Sequence, residues 1–299
     1  MMSIRERLAQ RRPVLTDGGM GQELYRRGFR GEHKELWSAN ALLMAPDAVK
    51  DIHVDFINAG AEIITTNTYC TNPGRLERAG LEDEFSKMNV IACELAKQSV
   101  QNAAHDVWIA GGLPPSFSYR ADLTPPYDVI LDEYRRMVDL MAPHVDVFLC
   151  ETMTTAEEAR AAATAALEYG LPVWVAWTLQ DNETATLRNG RSFADALNEF
   201  ADINVDALMV NCCGPEAVMP AISILKERTD KYIGAYANAF TPIPKKWKAG
   251  DIESVGIRRD LDPQAYAEFV KLWVAEGVAI VGGCCEIGPA HIAQIAKML

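Results

Sequence analysis

The feature that most constrains this chain is a regular alternation of short apolar runs with amphipathic stretches. Eight apolar runs recur along the 299 residues, and each ends in small or polar side chains. Near-continuous apolar runs are typical of strands buried on both faces, as in parallel sheets. The predicted strands are Val14–Met20, Glu62–Tyr69, Val107–Leu113, Val145–Thr152, Pro172–Leu179, Asp206–Cys213, Tyr232–Ala239 and Ala279–Cys285.

Amphipathic helices are predicted between these strands and after the last one. They cover Pro46–Ala59, Glu84–Ala103, Asp128–Ala142, Thr155–Tyr169, Ser192–Ala201, Pro215–Glu227, Pro263–Ala275 and Gly288–Met298. Eight strands alternating with eight helices predict an α/β protein of the (β/α)8 TIM-barrel class, with residues 1–299 as a single domain. A doubly wound open sheet is disfavoured, because the glycine-rich segment Asp17–Gly21 lacks the G-x-G-x-x-G spacing.

Charge and composition exclude several classes of protein. The chain has 41 acidic and 29 basic residues and a formal net charge of −12, which argues against binding of nucleic acid phosphates. Its apolar runs fall short of the roughly 18 residues of a membrane span, and the charged N-terminal segment does not look like a secretion signal. The seven cysteines include two adjacent pairs, which make poor disulfides. We therefore expect a cytoplasmic protein whose thiols serve metal binding or catalysis.

In a barrel of this class, the reactive groups lie at the C-terminal ends of the strands. Cys212 and Cys213 end the sixth predicted strand, and Cys284 and Cys285 end the eighth. These strands are second neighbours in a barrel, so their ends can share one ion. A buried, purely structural role is the alternative for each cysteine. Polar residues at other predicted strand ends are Asp17, Asn67, Tyr69, Glu151, Asn211 and Asn238.

The predicted strand ends carry no histidine, which disfavours a zinc hydrolase because such sites normally combine histidine and carboxylate ligands. A zinc ion with three thiolates is a weak Lewis acid, but it still binds a substrate thiol as the thiolate. Such a thiolate stays electron-rich, so the residues suggest alkylation of a bound thiol. A non-enzymatic zinc or redox sensor is a further alternative. The acidic residues Asp17 and Glu151 at other strand ends argue against a sensor, because they are of the type that binds a substrate.

Several segments resemble the homocysteine S-methyltransferase family, which includes the betaine– and S-methylmethionine–homocysteine methyltransferases. The matching segments are LTDGGMGQEL (15–24), ELWSANALLMAPDAV (35–49), AGAEIITTNTY (59–69), LCET (149–152), TLQDNETATLRNG (178–190), VNCCGP (210–215), YAN (236–238) and VGGCCEIGPAHI (281–292).

The resemblance implies a barrel that binds Zn²⁺ through Cys212, Cys284 and Cys285, with the homocysteine thiolate as the fourth ligand. It leaves Cys213 without a ligand position. The family's homocysteine-binding residues correspond to Asp17, Gly18 and Glu151. Asn211 and Asn238 either bind substrate or order the strand ends. The acceptor is expected to be homocysteine, with another thiol as the alternative, and the product methionine.

The methyl donor is expected to be an onium compound, because this thiolate needs an activated methyl group. Aromatic faces hold such cations, and Trp37 and Tyr69 match aromatic positions of the family's pocket. Phe117 and Tyr119 are weaker candidates for that pocket. Cys70 stands where betaine enzymes carry a second aromatic residue, which favours a sulfonium such as S-methylmethionine over betaine.

Two long connections, Gly112–Thr124 and Phe240–Arg259, are expected to cover the site. Because the chain ends soon after the eighth helix, a monomer or homodimer is expected.

Overall fold

The computed structural model describes residues 2–243 and 255–299, and these residues form a (β/α)8 barrel, as the sequence predicts. Its eight strands pair in parallel in the order β1-β8-β7-β6-β5-β4-β3-β2. A bridge between Thr16 and Ile63 joins the first and second strands and closes the barrel. The strands are β1 (Val14–Leu15), β2 (Ile63–Thr65), β3 (Trp108–Leu113), β4 (Val147–Met153), β5 (Val173–Trp177), β6 (Ala207–Asn211), β7 (Tyr232–Tyr236) and β8 (Ile280–Val281).

Helices surround the barrel. The twelve α-helices of the described residues are α1 (Ile4–Ala9), α2 (Met20–Arg26), α3 (Asn40–Met44), α4 (Pro46–Asn58), α5 (Pro73–Ala79), α6 (Phe85–Val100), α7 (Tyr127–Met141), α8 (Ala156–Leu167), α9 (Phe193–Phe200), α10 (Val218–Arg228), α11 (Pro263–Ala275) and α12 (Pro289–Met298). Eight of them, α4 and α6 to α12, correspond to the predicted helices within one to three residues at most ends. Within the described ranges, no helix has both the length and the apolar character needed to cross a bilayer.

The prediction was wrong about the length of three strands, the first, second and eighth, and it missed four short helices. Predicted strands one and eight end early, at Leu15 and Val281, because the glycines that follow leave the sheet and pack closely against other backbone. A side chain on Gly18 would meet the Ile287 carbonyl oxygen at 2.1 Å. The helices α1, α2, α3 and α5 were missed because each is only one or two turns long and lies outside the regular βα alternation.

Alternating residues of the strands face two different cores, which explains why the strands are apolar on both faces. In β5, Trp174 and Ala176 point into the barrel, whereas Val173, Val175 and Trp177 pack against the surrounding helices. Helix α1 closes the N-terminal end of the barrel, where Ile4 and Leu8 join the interior cluster. The opposite, C-terminal end stays open for a site.

A buried ion pair holds α1 against the barrel. The Arg7 guanidinium donates to both Glu62 carboxylate oxygens, at 2.6 and 2.8 Å, and to the carbonyl oxygens of Arg12 and Pro13. The Arg7 side chain is only 3% exposed, so its charge depends on these partners.

We predict that Arg7→Ala lowers the free energy of unfolding by about 3 kcal/mol, because Glu62 is left largely buried with a weaker partner. Arg5→Ala is the matched control, since the Arg5 pair with Asp206 is half-exposed and is worth less than about 1 kcal/mol. Urea unfolding of both variants measures the difference. Equal losses would contradict the assigned role of Arg7.

Candidate active site

A cavity opens at the C-terminal end of the barrel and encloses about 730 Å³ including its mouth. Residues from the ends of seven strands, or from the loops that follow them, form its wall. The lining residues are Asp17, Gly18, Gly19, Met20, Gly21, Gln22, Trp37, Ser38, Thr65, Thr66, Asn67, Tyr69, Ser118, Tyr119, Glu151, Cys212, Tyr236, Gly283, Cys284 and Cys285.

Three cysteine sulfurs converge on one side of this cavity. The Sγ atoms of Cys212, Cys284 and Cys285 all lie within 4.8 Å of one another. Cys284 Sγ donates to Cys212 Sγ at 2.6 Å, and Cys285 Sγ lies 3.8 Å from Cys212 Sγ. The seven cysteines of the chain are all free thiols. Three thiols this close to one another form a group that can hold a metal ion.

Cys213 does not belong to this group. It is fully buried in the core between sheet and helices, and burial raises the pKa of its thiol to about 12. The turn after β6 therefore directs one cysteine of the adjacent pair to the cavity and the other to the core.

Two carboxylates, Asp17 and Glu151, line the cavity floor near the C-terminal ends of β1 and β4. Asp17 accepts hydrogen bonds from the Thr65 backbone N–H at 2.8 Å and from Thr65 Oγ1 at 3.2 Å. Burial raises the pKa of Asp17 to about 7, although the bonds from Thr65 oppose the shift. Burial, with the nearby Cys212 and Asp17, raises the pKa of Glu151 to about 8. Among residues 2–243 and 255–299, neither carboxylate has a cationic side chain in an ion pair with it, and a positively charged ligand group would stabilise the ionised forms of both.

Aromatic side chains form the outer wall. The Trp37 and Tyr69 rings meet edge to face with centroids 6.4 Å apart, and Tyr69 Oη lies 3.0 Å from Ser118 Oγ. Trp37 packs on Gly21, where any side chain would collide with the indole at 2.5 Å. The weaker candidate Tyr119 also lines the cavity, but Phe117 lies outside its wall, beneath the Arg78 guanidinium at 4.0 Å.

Backbone strain is concentrated around this cavity. Seven non-glycine residues of the described chain have positive φ, and Trp37 (41°), Ser118 (53°) and Cys212 (51°) line the wall. Two more, Thr152 and Glu286, directly follow lining residues. Strained backbone of this kind persists only where the surrounding structure enforces it, and it is typical of functional sites.

The two candidate asparagines lie outside the cavity wall. Asn211 is fully buried. Its Oδ1 accepts the backbone N–H of Thr152 at 2.9 Å, and its Nδ2 donates to the Thr152 hydroxyl at 2.8 Å. Asn238 accepts a bond from the Phe240 N–H at 3.1 Å. The bonds of Asn211 support ordering of the strand ends. Asn238 Nδ2 is buried and has no partner among the described residues, so substrate binding and ordering both stay predictions for Asn238.

Sequence reasoning missed two wall residues, Gln22 and Tyr236, whose buried polar atoms have no partner among the described residues. Gln22 is 2% exposed, and neither its amide oxygen nor its amide nitrogen has a partner among the described residues. Tyr236 is 5% exposed, and its hydroxyl has no hydrogen-bond partner among the described residues either. Buried polar atoms are normally paired, so such groups in a cavity wall point to a ligand. Gln22 belongs to the segment LTDGGMGQEL (15–24), but it comes several residues after the end of the predicted strand. Its position therefore did not identify it as a site residue.

Part of the connection Phe240–Arg259 falls on residues 244–254, outside the described residues. Of the remainder, Phe240, Ile243 and Val255 pack with Tyr119 and the cavity cysteines in one apolar cluster. The connection Gly112–Thr124 contributes Ser118 and Tyr119 to the wall, as a covering loop should.

The fold and the site define a TIM-barrel enzyme with a cysteine-rich centre. A family model described as "Homocysteine S-methyltransferase" matches residues 14–299, and the chain belongs to this family. Membership makes the protein a methyltransferase with homocysteine as its acceptor.

Known relatives span nearly the whole chain. Homocysteine S-methyltransferase of Escherichia coli is 27% identical, with 94% of each chain covered. Homocysteine S-methyltransferase 4 of Zea mays is 28% identical over 95% of this chain and 88% of its own. The crystal structure of the metallated form of the E. coli homocysteine methyltransferase MmuM superposes with a TM-score of 0.82, at 25% identity and with 99% of each chain covered.

We predict that Asp17→Asn weakens the pH dependence of stability in the metal-free protein. The raised pKa of Asp17 means that its carboxyl binds a proton more tightly in the folded state than in the unfolded state. In the unfolded state the pKa of an Asp carboxyl is about 3.9. The resulting stabilisation is complete below about pH 4 and is lost as the pH rises through 7. Urea unfolding at pH 5 and pH 8 should show a smaller difference for the variant than for the wild type.

Asp146→Asn is the control for this experiment. It removes a carboxylate that accepts a backbone bond at 2.8 Å at the opposite end of the barrel. A wild-type pH dependence in Asp17→Asn would contradict the assignment.

Proposed function

We propose that this enzyme transfers a methyl group from an onium donor to homocysteine, whose sulfur binds a zinc ion held by Cys212, Cys284 and Cys285. The observation that carries the proposal is the convergence of these three sulfurs in a cavity that also contains two carboxylates and an aromatic wall.

The geometry of the thiols suits zinc. Tetrahedral zinc with Zn–S bonds of about 2.3 Å holds two sulfurs about 3.8 Å apart. Cys212 and Cys285 have this separation, 3.8 Å. The Cys284 and Cys212 sulfurs are closer, 2.6 Å apart, because the Cys284 thiol donates a hydrogen bond to Cys212 Sγ. Once both thiols were deprotonated, the two sulfurs would move apart. Bound zinc would supply a Lewis acid that keeps the substrate sulfur deprotonated near neutral pH.

The amino-acid end of homocysteine fits the floor of the cavity. Asp17 and Glu151 are two carboxylates that form no ion pair with any described residue, which suits an ammonium group. The Gln22 amide, which has no partner in the described part of the chain, offers N–H groups to a carboxylate and an oxygen to an ammonium. Gly18 lines the cavity, and only glycine fits there because a side chain would overlap the Ile287 carbonyl oxygen. We infer that these residues orient homocysteine so that its sulfur reaches the thiols.

The methyl donor fits the outer wall. The faces of Trp37 and Tyr69 attract a sulfonium or quaternary ammonium group, each by about 0.5–2 kcal/mol. Cys70 is fully buried in the core, which supports a pocket with fewer aromatic groups than a betaine site. We therefore favour a sulfonium such as S-methylmethionine over betaine as the donor.

The reaction is a direct displacement. The homocysteine sulfur forms a bond to the methyl carbon while the bond from that carbon to the onium atom breaks, and the bonding electron pair stays on the former onium atom. The products are methionine and the demethylated donor. The chain contributes alignment of sulfur and methyl carbon by the floor and the wall, and exclusion of water by the loops above them.

We predict that replacing any one of Cys212, Cys284 and Cys285 with alanine lowers bound zinc to a small fraction of one equivalent and abolishes activity. The fold should persist, because these thiols lie at the open end of the barrel. Cys213→Ala is the matched control and should retain zinc, since its thiol lies in the core. Metal analysis with circular dichroism measures both effects. Full zinc in a variant of the three, or its loss in Cys213→Ala, would contradict the ligand set.

We predict that Trp37→Ala raises the donor KM or lowers turnover by a factor of about 5–30, equivalent to ~1–2 kcal/mol. Trp37→Phe should recover part of the loss because an aromatic face remains. The homocysteine KM and the zinc content should change little. Steady-state kinetics for both substrates tests this, beside the melting temperature. Unchanged donor kinetics with a lowered melting temperature would show that Trp37 only packs the wall.

A further inference from the structure

The motif TLQDNETATLRNG (178–190) is not accounted for by the proposed reaction. It follows β5, and among the described residues none of the cavity lining comes from it. Three of its side chains nevertheless form a buried network directly behind the cysteine site: Thr178, Asp181 and Arg188.

The centre of this network is a buried ion pair. The Arg188 and Asp181 side chains are 8% and 10% exposed, and two N–H groups of the guanidinium donate to the two carboxylate oxygens at 3.2 Å each. The same carboxylate accepts the N–H of Gly214 at 2.9 Å and the N–H of Ile243 at 2.9 Å. The ion pair therefore joins the loops that follow β5, β6 and β7.

The network reaches the cysteines by two routes. Thr178 Oγ1 donates to the Cys212 carbonyl oxygen at 3.1 Å and accepts from Arg188 Nε at 3.4 Å. The Arg188 guanidinium also lies over the Tyr119 ring, 4.9 Å from its centroid. Tyr119 Oη donates to Cys212 Sγ at 2.8 Å and lies 3.3 Å from the Cys212 carbonyl oxygen.

Cys212 needs this support. Its φ of 51° is in the left-handed region, which is unfavourable for a residue with a side chain. Bonds to its carbonyl oxygen and its sulfur together determine the direction of Sγ. Groups that hold a metal ligand in this way raise metal affinity, and their loss typically costs 10–100-fold.

We propose that Tyr119, Arg188 and Asp181 are positioning residues for the metal centre, which present Cys212 to the ion and tie the loop after β3 to it. This inference rests on the proposed function, because it takes the three cysteines as metal ligands. It predicts that the hydroxyl of Tyr119 controls metal affinity although Tyr119 is not one of those ligands.

The test compares Tyr119→Phe with Tyr134→Phe. Tyr134 Oη donates to the Pro114 carbonyl oxygen at 2.9 Å, so this control removes a buried hydroxyl that anchors the same loop away from the thiols. Zinc affinity is measured on the full chain by competition with a chromophoric chelator. The visible spectrum of the Co²⁺-loaded protein reports the ligand geometry. Tyr119→Phe should raise the zinc Kd at least tenfold and shift the Co²⁺ bands, whereas Tyr134→Phe should do neither.

The ion pair is tested in the same assay. Asp181→Asn should raise the zinc Kd by a similar factor. In the Asp181→Asn background Tyr119→Phe should add less than it does alone, because both changes act on Cys212. The quantity compared is the factor by which Tyr119→Phe raises the zinc Kd, measured once in the wild type and once in Asp181→Asn. An equal factor in both would contradict the action of Asp181 through Cys212, whatever the melting temperature of Asp181→Asn.

Two failures are distinguishable. The proposed function would be overturned if the wild-type protein bound no zinc, or if the Cys212→Ala variant bound zinc as tightly as the wild type. Wild-type zinc affinity and an unchanged Co²⁺ spectrum in Tyr119→Phe, with the cysteines still required, would overturn the positioning role alone.

Discussion

The mutual approach of three cysteine sulfurs constrains the rest of the site. Thiolates within a few ångströms of one another repel strongly in a buried environment, so they need a shared cation or shared protons. In the structure, Cys284 Sγ donates to Cys212 Sγ at 2.6 Å, and Cys285 Sγ lies 3.8 Å from Cys212 Sγ. A divalent cation at the same place would replace the protons and leave room for one more thiolate, which in the proposed reaction is the sulfur that is methylated.

The strained backbone around the cavity follows from that requirement. Cys212 and Cys285 come from strands that are not neighbours, since β7 lies between β6 and β8. To meet, their chains must leave the sheet sharply, and Cys212 does so with a positive φ. The barrel and the hydrogen bonds behind the site enforce this conformation, so stability elsewhere in the fold maintains the geometry of the centre.

The carboxylates and the aromatic wall divide the cavity by charge. Asp17 and Glu151 lie on the floor, where burial makes an ammonium partner favourable. Trp37 and Tyr69 form the outer wall, where π-faces rather than carboxylates meet a cation. In the proposed reaction, this division would give an amino-acid thiol and an onium donor separate places, with their reacting atoms between them.

The alternation of apolar runs and helices determined the (β/α)8 barrel, because strands buried on both faces and helices of matching length leave few other arrangements. The same pattern placed Asp17, Glu151, Cys212 and Cys284 at one end, since parallel strands share a C-terminal edge. The pattern of residue types did not distinguish Cys212 from Cys213. The family resemblance indicated Cys212, and in the structure the turn after β6 directs Cys212 to the cavity and Cys213 to the core. Tertiary structure decided the bonds between Asn211 and Thr152, the lack of partners for the Gln22 amide among the described residues, and the link from Arg188 through Tyr119 to Cys212. Those features depend on contacts between residues far apart in the chain, and no local pattern of residue types encodes which long-range partners meet.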